Sequence, residues 1–365
     1  MAKQRSRPST VAATRHPIEQ EVTGLRVVAI GGGTGLSTLL RGLKRHVQPP
    51  VSSVASPLGW ERFPCTISDL AGIVTVSDDG GSSGRLRKDL NMLPPGDLRN
   101  CMVALSEDEH LLSRLFQYRF EAGQGLEGHS FGNLFLAGLT DITGDFALAV
   151  KMSSQILATR GHLYPATTAN VTLAAQMDDG SIVHGETRIT ASKRRIERLM
   201  IEPATAQALP EAVEAIERAD LITIGPGSLY TSLIANMLVP GIPEALAAAK
   251  GVRVYICNLM TQANESLGLS ASQHIERIYD HARATIFDYA LVNTAPISAM
   301  LRDRYAVAGA LPIDVDIERI QSLGVRCIPG NFVFEGDVLR HNYDRVTDAV
   351  LQLVVQLRTE RMDRE

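Results

Sequence analysis

Short apolar runs alternate with amphipathic stretches along most of the chain, and this alternation predicts strands separated by helices. Residues 26–30, 72–76, 221–224, 252–257 and 289–293 are apolar, largely β-branched runs typical of buried strands. Strands that alternate with helices favour a mostly parallel sheet that is covered on both faces. The pattern therefore predicts the α/β fold class.

Apolar residues at helical spacing fill most of the intervals between these strands. They predict helices at residues 36–47, 98–120, 131–158, 212–218, 229–237, 270–281 and 346–357. Two hairpins interrupt the alternation. Residues 171–176 and 182–186 flank the turn sequence at 178–180, which predicts a β-hairpin insertion, and a shorter hairpin is expected at 332–339.

The organisation of the chain favours one large domain. Its 365 residues would divide into two domains by length alone, but there is neither an internal repeat nor a change of composition. We therefore expect a single α/β domain over residues 23–358. Residues 1–22 carry basic side chains without an apolar block, which predicts a disordered tail and not a secretory signal. Residues 51–70 are expected to form a surface insertion.

Charge and cysteine content exclude several classes of protein. Lys and Arg number 36 against 40 Asp and Glu, a net charge of −4 that argues against a protein that coats nucleic acid or membranes. No apolar run reaches the ~18 residues that a membrane span needs. Cys65, Cys101, Cys257 and Cys327 stand far apart, as small core residues of a reduced compartment do. The expected protein is soluble and cytoplasmic.

Four predicted strands end in polar or glycine-rich loops, and ligands of parallel sheets bind at this edge. Residues 31–35 form a glycine-rich turn before a helix, which favours phosphate binding, with a plain tight turn as the alternative. Leu36 stands where a dinucleotide fingerprint needs its last glycine. The chain also lacks a Gly-Lys-Ser/Thr element, so a P-loop ATPase is not expected.

Adjacent carboxylates follow the second strand. Asp78 and Asp79 are candidates to hold a divalent cation such as Mg²⁺ that bridges phosphates, and a turn or capping role is the alternative. Gly81 and Ser82 then offer backbone and hydroxyl donors.

Three arginines could pair with phosphate oxygens: Arg85, Arg87 and Arg99. Each of them could instead be solvated, and this alternative is favoured most for Arg87.

Two further polar positions remain open between a structural and a functional role. Ser228 follows the glycines of the third loop, where ligand binding and helix capping are equally plausible. His129 lies in a glycine-rich loop with Asn133 one turn later, and it has no His or Cys nearby to complete a zinc site.

Taken together, six segments resemble the bacterial gluconeogenesis factor family, which is related to 2-phospho-L-lactate transferase. The resemblance covers residues 26–348 in order. The segments that carry it are residues 31–35, 75–87, 93–100, 128–133, 225–231 and 258–262. The chain departs from the family at residues 51–70, which are longer, and at residues 263–266, where Ala-Asn-Glu-Ser replaces the commoner Pro-Gly-Glu-Thr.

The resemblance implies a Rossmann-like three-layer sandwich and a cytoplasmic protein that binds a UDP-sugar such as UDP-N-acetylglucosamine. It implies a regulator of cell-wall precursor supply and cell shape during gluconeogenic growth, with no established reaction or cofactor. A Tyr and an Arg linked to UDP-sugar binding in the family match Tyr305 and Arg340 best. The other candidate ligand-binding residues are Gly32, Gly33, Thr34, Gly35, Gly81, Ser82, Arg85, Gly225, Gly227, Ser228 and Asn258, with Arg99, His129 and Asn133 as further candidates.

Two other functions stay open at this point. The first is a transferase that uses a nucleotide-linked donor with metal at Asp78 or Asp79, as the related enzyme does. The second is an NAD-binding protein, which Leu36 and the lack of an acidic residue ~20 positions after the glycine turn disfavour. A protein partner in cell-wall synthesis and a homo-oligomer are open partners, whereas nucleic acid and membrane insertion are not expected.

Overall fold

The computed structural model describes residues 24–47, 66–107, 111–192, 194–262 and 265–363. Strands and helices alternate over nearly all of this part of the chain.

In the first half the elements are β1 (Leu25–Gly31), α1 (Gly33–Lys44), β2 (Ile67–Val74), α2 (Gly81–Leu90), α3 (Gly96–Leu105), α4 (Leu111–Gln117), α5 (Phe131–Thr143), α6 (Phe146–Ile156), β3 (His162–Pro165), β4 (Thr172–Met177), β5 (Ile182–His184), α7 (Glu186–Ala191) and β6 (Ile196–Glu202).

In the second half the elements are α8 (Pro210–Arg218), β7 (Leu221–Ile224), a π-helical turn (Leu229–Ile234) that continues as α9 (Ala235–Met237), α10 (Ile242–Ala248), β8 (Val252–Ile256), α11 (Ala271–Ala282), β9 (Tyr289–Asn293), α12 (Ala299–Val307), α13 (Ile317–Ser322), β10 (Arg326–Gly330), β11 (Val333–Glu335), β12 (Leu339–His341) and α14 (Tyr343–Met362).

A seven-stranded parallel sheet in the order β10-β9-β8-β7-β1-β2-β3 forms the centre of the fold. Ile30 of β1 pairs with Ile73 on one side and with Ile224 on the other. The four strands that the sequence predicts to precede polar loops, β8, β7, β1 and β2, are therefore consecutive neighbours. Because all are parallel, their loops leave the same edge of the sheet, and the predicted α/β class is confirmed.

Both faces of strand β1 are covered. Val27 and Val28, which point to opposite faces of β1, are 1% and 2% exposed. Helix α1 supplies part of the cover, since its leucines at positions 36, 39, 40 and 43 are fully buried. Each buried leucine contributes roughly 1.5–3 kcal/mol. This packing fixes the start of α1, and hence the glycine turn before it, against the sheet.

Two small antiparallel sheets accompany the large one. The predicted hairpin is present, with β4 paired to β5, and β6 adds a third strand that the sequence pattern did not predict. Strands β11 and β12 form the expected C-terminal hairpin.

Several predicted boundaries are wrong. Strand β2 begins at Ile67 and not at residue 72, so the last residues of the predicted insertion 51–70 belong to the sheet. The start of this strand was missed because Ser68 and Asp69 are polar and exposed, so they interrupt the apolar run. The predicted helices 98–120 and 131–158 are each two helices, and the second break falls where Gly144 adopts φ +67° and Asp145 caps α6.

Some expectations fall outside the described residues. These are the tail at 1–22, residues 51–65 of the insertion, and Cys65. The thiols of Cys101, Cys257 and Cys327 are free, and the first two are buried. The boundaries 23–358 for a single domain stay a prediction.

Within the described ranges, no single helix is both long and apolar enough to cross a membrane. One bent pair, Leu229–Met237 with Ile242–Ala248, passes that test by length and composition only.

Candidate functional site

The glycine-rich turn between β1 and α1 is shaped by close packing. A Cβ on Gly35 would lie 2.3 Å from the carbonyl oxygen of Pro226, and one on Gly32 would lie 2.6 Å from Thr75 Cγ2. Gly33 adopts φ +61°, a conformation that favours glycine. The turn therefore needs its glycines to fit between the neighbouring loops, whether or not a ligand binds there. Thr34, also a candidate, is exposed at the start of α1.

A carboxylate of the chain itself accepts a hydrogen bond from a backbone amide of this turn. The backbone N–H of Gly33 donates to Asp97 Oδ2 at 2.7 Å. Burial raises the pKa of Asp97 to about 6; the Gly33 hydrogen bond opposes this increase, and the nearby charge of Asp78 adds to it. The N–H of Gly33 can therefore bind an anionic group, and in this structure that group is the Asp97 side chain.

The two aspartates after β2 act mainly on the backbone around them. Asp78 Oδ1 accepts from the N–H of Gly80 at 2.9 Å. Asp79 Oδ1 accepts from both the N–H and the hydroxyl of Thr187, which ties this loop to α7. In the described part of the chain, no three His, Cys, Asp or Glu side chains lie close enough to hold a metal ion. These side chains alone do not form a complete metal site, and any bound cation would need ligand oxygens as well.

Ser82, His129 and Asn133 meet at the starts of α2 and α5. Asn133 Nδ2 donates to Ser82 Oγ at 3.1 Å, and Ser82 Oγ is also hydrogen-bonded to His129 Nδ1 at 2.9 Å. All three side chains are at least 95% buried. Burial, assisted by the charge of Arg85, lowers the pKa of His129. The fold thus brings together the motifs at residues 75–87 and 128–133, which are distant in the sequence.

The three candidate arginines have different environments. Arg85 is exposed and donates to the carbonyl of Glu127 at 2.7 Å, whereas Arg99 is 92% buried. The expectation that Arg87 is solvated is wrong. Its side chain is half-buried and bonds to Asn170 Oδ1 at 2.9 Å and to Thr172 Oγ1 at 3.0 Å. Arg87 therefore links α2 to the start of β4.

The loops after β7 and β8 are joined by an amide side chain. Asn258 accepts from the N–H of Gly227 at 3.3 Å and donates to its carbonyl at 2.8 Å. Gly225 needs its glycine because it adopts φ +92°. Ser228 Oγ accepts from Gln262 Nε2 at 2.9 Å, and its side chain makes no capping bond. Asn258 and Ser228 thus hold the two loops at one edge of the sheet.

Glu265 makes the capping bonds that Ser228 lacks. Its carboxylate accepts from the N–H groups of Tyr230 and Thr231 and from the Thr231 hydroxyl at 3.1, 3.4 and 2.9 Å. It is buried, which raises its pKa. Sequence reasoning missed Glu265 because it lies 34 residues from Thr231, outside any local capping pattern.

Glu186, at the start of α7, was also missed. Burial raises the pKa of this half-buried carboxyl to about 9, and the charges of Asp78 and Asp97 add to the effect. A carboxyl with this pKa is protonated at neutral pH, so it can donate a hydrogen bond at the site. The sequence offered only an isolated Glu at the end of a predicted strand.

Tyr305 and Arg340 are brought together by the C-terminal hairpin. Tyr305 Oη accepts from the N–H of Leu339, the residue before Arg340, at 3.0 Å. His341 Nε2 donates to the carbonyl of Cys257 at 3.0 Å, which fixes β12 at the end of β8 beside Asn258. Arg340 is exposed there. Both residues therefore flank the same edge of the sheet as the glycine-rich loops.

Comparison with protein families gives a match across most of the chain. Residues 27–333 match the family model described as 2-phospho-L-lactate transferase CofD.

Individual relatives match over nearly their whole length. The gluconeogenesis factor of Halalkalibacterium halodurans is 49% identical over 89% of this chain and 95% of its own. That of Bacillus subtilis is 44% identical over 90% of this chain and 98% of its own. A crystal structure of a Bacillus halodurans protein, 48% identical, superposes with a TM-score of 0.83 over 90% of this chain and 100% of that chain.

Proposed function

Since the chain belongs to the CofD family, with relatives named gluconeogenesis factors, we propose that it binds a UDP-sugar such as UDP-N-acetylglucosamine. In this proposal the ligand lies across the loops at the carboxyl edge of β1, β2, β7 and β8. Its diphosphate meets the turn around Gly33, and its uridine or sugar end meets Tyr305 and Arg340.

The observation that carries the proposal is the convergence of these groups on one edge. Gly33 offers an N–H that already holds an anion, and it begins a twelve-residue helix whose dipole favours negative charge. Arg340 is exposed on a hairpin that His341 and Tyr305 fasten at the same edge. An exposed guanidinium can form paired hydrogen bonds with phosphate or stack on a base.

The proposed role is regulatory: a cytoplasmic protein that adjusts cell-wall precursor supply and cell shape during gluconeogenic growth. In support of this role, Asp79 Oδ1, Ser228 Oγ and the Asn258 amide are hydrogen-bonded to neighbouring segments. Such residues shape a binding surface. A regulator of this kind passes the state of its ligand to a protein partner in cell-wall synthesis or to a second copy of itself.

A second candidate is a transferase that uses a nucleotide-linked donor and Mg²⁺. The observation that favours it is the group of acidic side chains whose charges interact near the turn, Asp78, Asp97 and Glu186. A Mg²⁺ ion there would be held by Asp78 together with phosphate oxygens of the ligand, and it would neutralise phosphate charge.

Calorimetry with UDP-N-acetylglucosamine, with and without Mg²⁺, tests the proposal. Arg340→Ala should weaken binding about ten- to hundredfold, as expected for the loss of a charged hydrogen bond. Arg361→Ala is the matched control, since Arg361 is exposed beside Arg26 and Asp220 at the opposite edge of the sheet.

Two results would contradict the regulatory proposal. Equal affinity of wild type and Arg340→Ala would move the ligand away from the hairpin. Steady Mg²⁺-dependent release of UDP by the wild type would favour the transferase instead.

A further inference from the structure

Three arginines surround the loop that carries His129. Arg85 donates to the carbonyl of Glu127, and Arg119 donates to that of Gly128. Arg99 lies beneath the first turn of α5, where a Cβ on Gly132 would come within 2.8 Å of its Cδ. Arg85 and Arg119 both lower the pKa of His129, and Arg119 also acts on Arg99, so the three positive charges interact.

None of these three arginines forms an ion pair within the described ranges. The charge of Asp97 acts on Arg99, and the charge of Asp89 acts on His129. Neither aspartate lies within ion-pair distance of one of the three arginines. Arg99 is 92% buried; its Nη2 donates to Asn100 Oδ1 at 2.8 Å, and its Nε has no hydrogen-bond partner among the described residues. A buried guanidinium without an anion is costly, because it loses hydration without recovering it from a counter-charge.

Neutral donors add to the same positive region. Helix α5 begins at Phe131 with thirteen residues, and its dipole puts further positive potential where Arg99 already lies. The Nδ1 of His129 is bonded to Ser82 Oγ, which leaves Nε2 as the ring nitrogen that can meet a ligand. Three cations and a helix N-terminus beside an imidazole suit a dianionic phosphate better than a single carboxylate.

We propose that Arg85, Arg99, Arg119 and His129 form a phosphate subsite that binds the phosphoryl group of a second small ligand. It is distinct from the diphosphate position proposed at Gly33, and the carboxylate of Asp97 interacts with both. Asp97 holds the Gly33 amide and also interacts with Arg99. The subsite does not require that the protein bind a UDP-sugar.

Calorimetry with inorganic phosphate at low ionic strength tests this subsite, since salt screens exposed arginines. Arg119→Gln and Arg85→Gln should each weaken phosphate binding about tenfold or more. Arg114→Gln is the control, because Arg114 is exposed on α4, the helix that ends shortly before Arg119. This variant should bind phosphate as the wild type does. Malonate, a dicarboxylate, should bind more weakly than phosphate. Arg99→Gln is included if its melting temperature matches the wild type.

Each outcome decides the proposal. Wild type that binds no phosphate at millimolar concentration, or Arg119→Gln and Arg85→Gln variants that bind it normally, would overturn it. A saturating amount of UDP-N-acetylglucosamine should leave phosphate affinity unchanged. If it abolishes phosphate binding instead, the arginines belong to the nucleotide-sugar site and there is no second ligand. If UDP-N-acetylglucosamine does not bind, the proposed function fails while the phosphate titrations still decide the subsite.

Discussion

Asp97 Oδ2 accepts the backbone N–H of Gly33 at 2.7 Å, so a carboxylate occupies the position where a ligand phosphate would meet the glycine-rich turn. The two residues are 64 positions apart, and α3 carries Asp97 to the end of β1. An incoming phosphate must therefore share or displace an internal anion, and the ionisation of Asp97 controls how strongly the two repel each other.

This relationship predicts that ligand affinity depends on pH. The pKa of Asp97 is about 6, so its carboxyl becomes protonated, and less repulsive, as pH falls from 7.5 to 5.5. UDP-N-acetylglucosamine should bind more tightly at the lower pH. Asp97→Asn should bind about tenfold more tightly than wild type at pH 7.5 and lose most of the pH dependence. Calorimetry at both pH values measures this, with exposed Asp141→Asn as control. A wild-type affinity that does not change with pH would contradict it.

Glu186 should make stability fall as pH rises. Its pKa is 4.5 in the unfolded chain and about 9 in the folded protein, so between these values the folded protein keeps a proton that the unfolded chain releases. Glu186→Gln imitates the protonated acid without this dependence. Because the side chain retains some contact with solvent, we expect Glu186→Gln to stabilise the protein at pH 7.5 by about 1–3 kcal/mol, and not at pH 4.5. Urea unfolding at both pH values measures the difference; an equal effect at both would refute the interpretation.

Removal of the Ser82 hydroxyl should destabilise the protein. In Ser82→Ala, the buried His129 Nδ1 and Asn133 Nδ2 lose their shared partner. Leaving buried polar groups unpaired costs about 1–3 kcal/mol. Urea unfolding measures the loss, and Ser322→Ala, on the exposed side of α13, should change stability by less than about 0.5 kcal/mol. Equal stabilities of the two variants would show that the three-residue network contributes nothing.

The cap made by Glu265 should hold the π-helical turn. Glu265→Ala removes the acceptor of the Tyr230 and Thr231 amides and should cost about 1–3 kcal/mol. Hydrogen exchange at these two amides should accelerate more than at residues of α9. Glu197→Ala, which removes an exposed ion pair with Arg195, should cost no more than about 1 kcal/mol. Unchanged exchange at Tyr230 and Thr231 would mean that the turn does not need its cap.

Apolar periodicity predicted the central sheet well. Residues 221–224 and 289–293 are strands with the predicted boundaries, because continuous apolar runs buried on both faces leave little ambiguity. The pattern missed β3 and β10, which are short strands at the two edges of the sheet. It also missed α2 and α7, whose apolar residues are too few to mark a helical face.

The candidate site was predictable where motifs follow strands and unpredictable where distant residues meet. Loops that end parallel neighbours had to converge, as Gly227 and Asn258 do. Nothing local marks Asp97 as the partner of Gly33, or Glu265 as the cap of Thr231, since these bonds join residues 64 and 34 positions apart. Arg87 shows the same limit, because only the folded chain brings Asn170 within its reach.

The order of strands also bears on synthesis of the protein. Strand β1 leaves the ribosome early, yet one of its two neighbours is β7, and the bonded pair Arg26 and Asp220 that joins them spans 194 residues. Pairing over such a distance delays folding, because a long loop must close first. The hairpin that carries Arg340, and whose His341 bonds to the carbonyl of Cys257, is made later still. A nascent or truncated chain that ends before Leu339 therefore lacks the hairpin that carries Arg340 to this edge of the sheet.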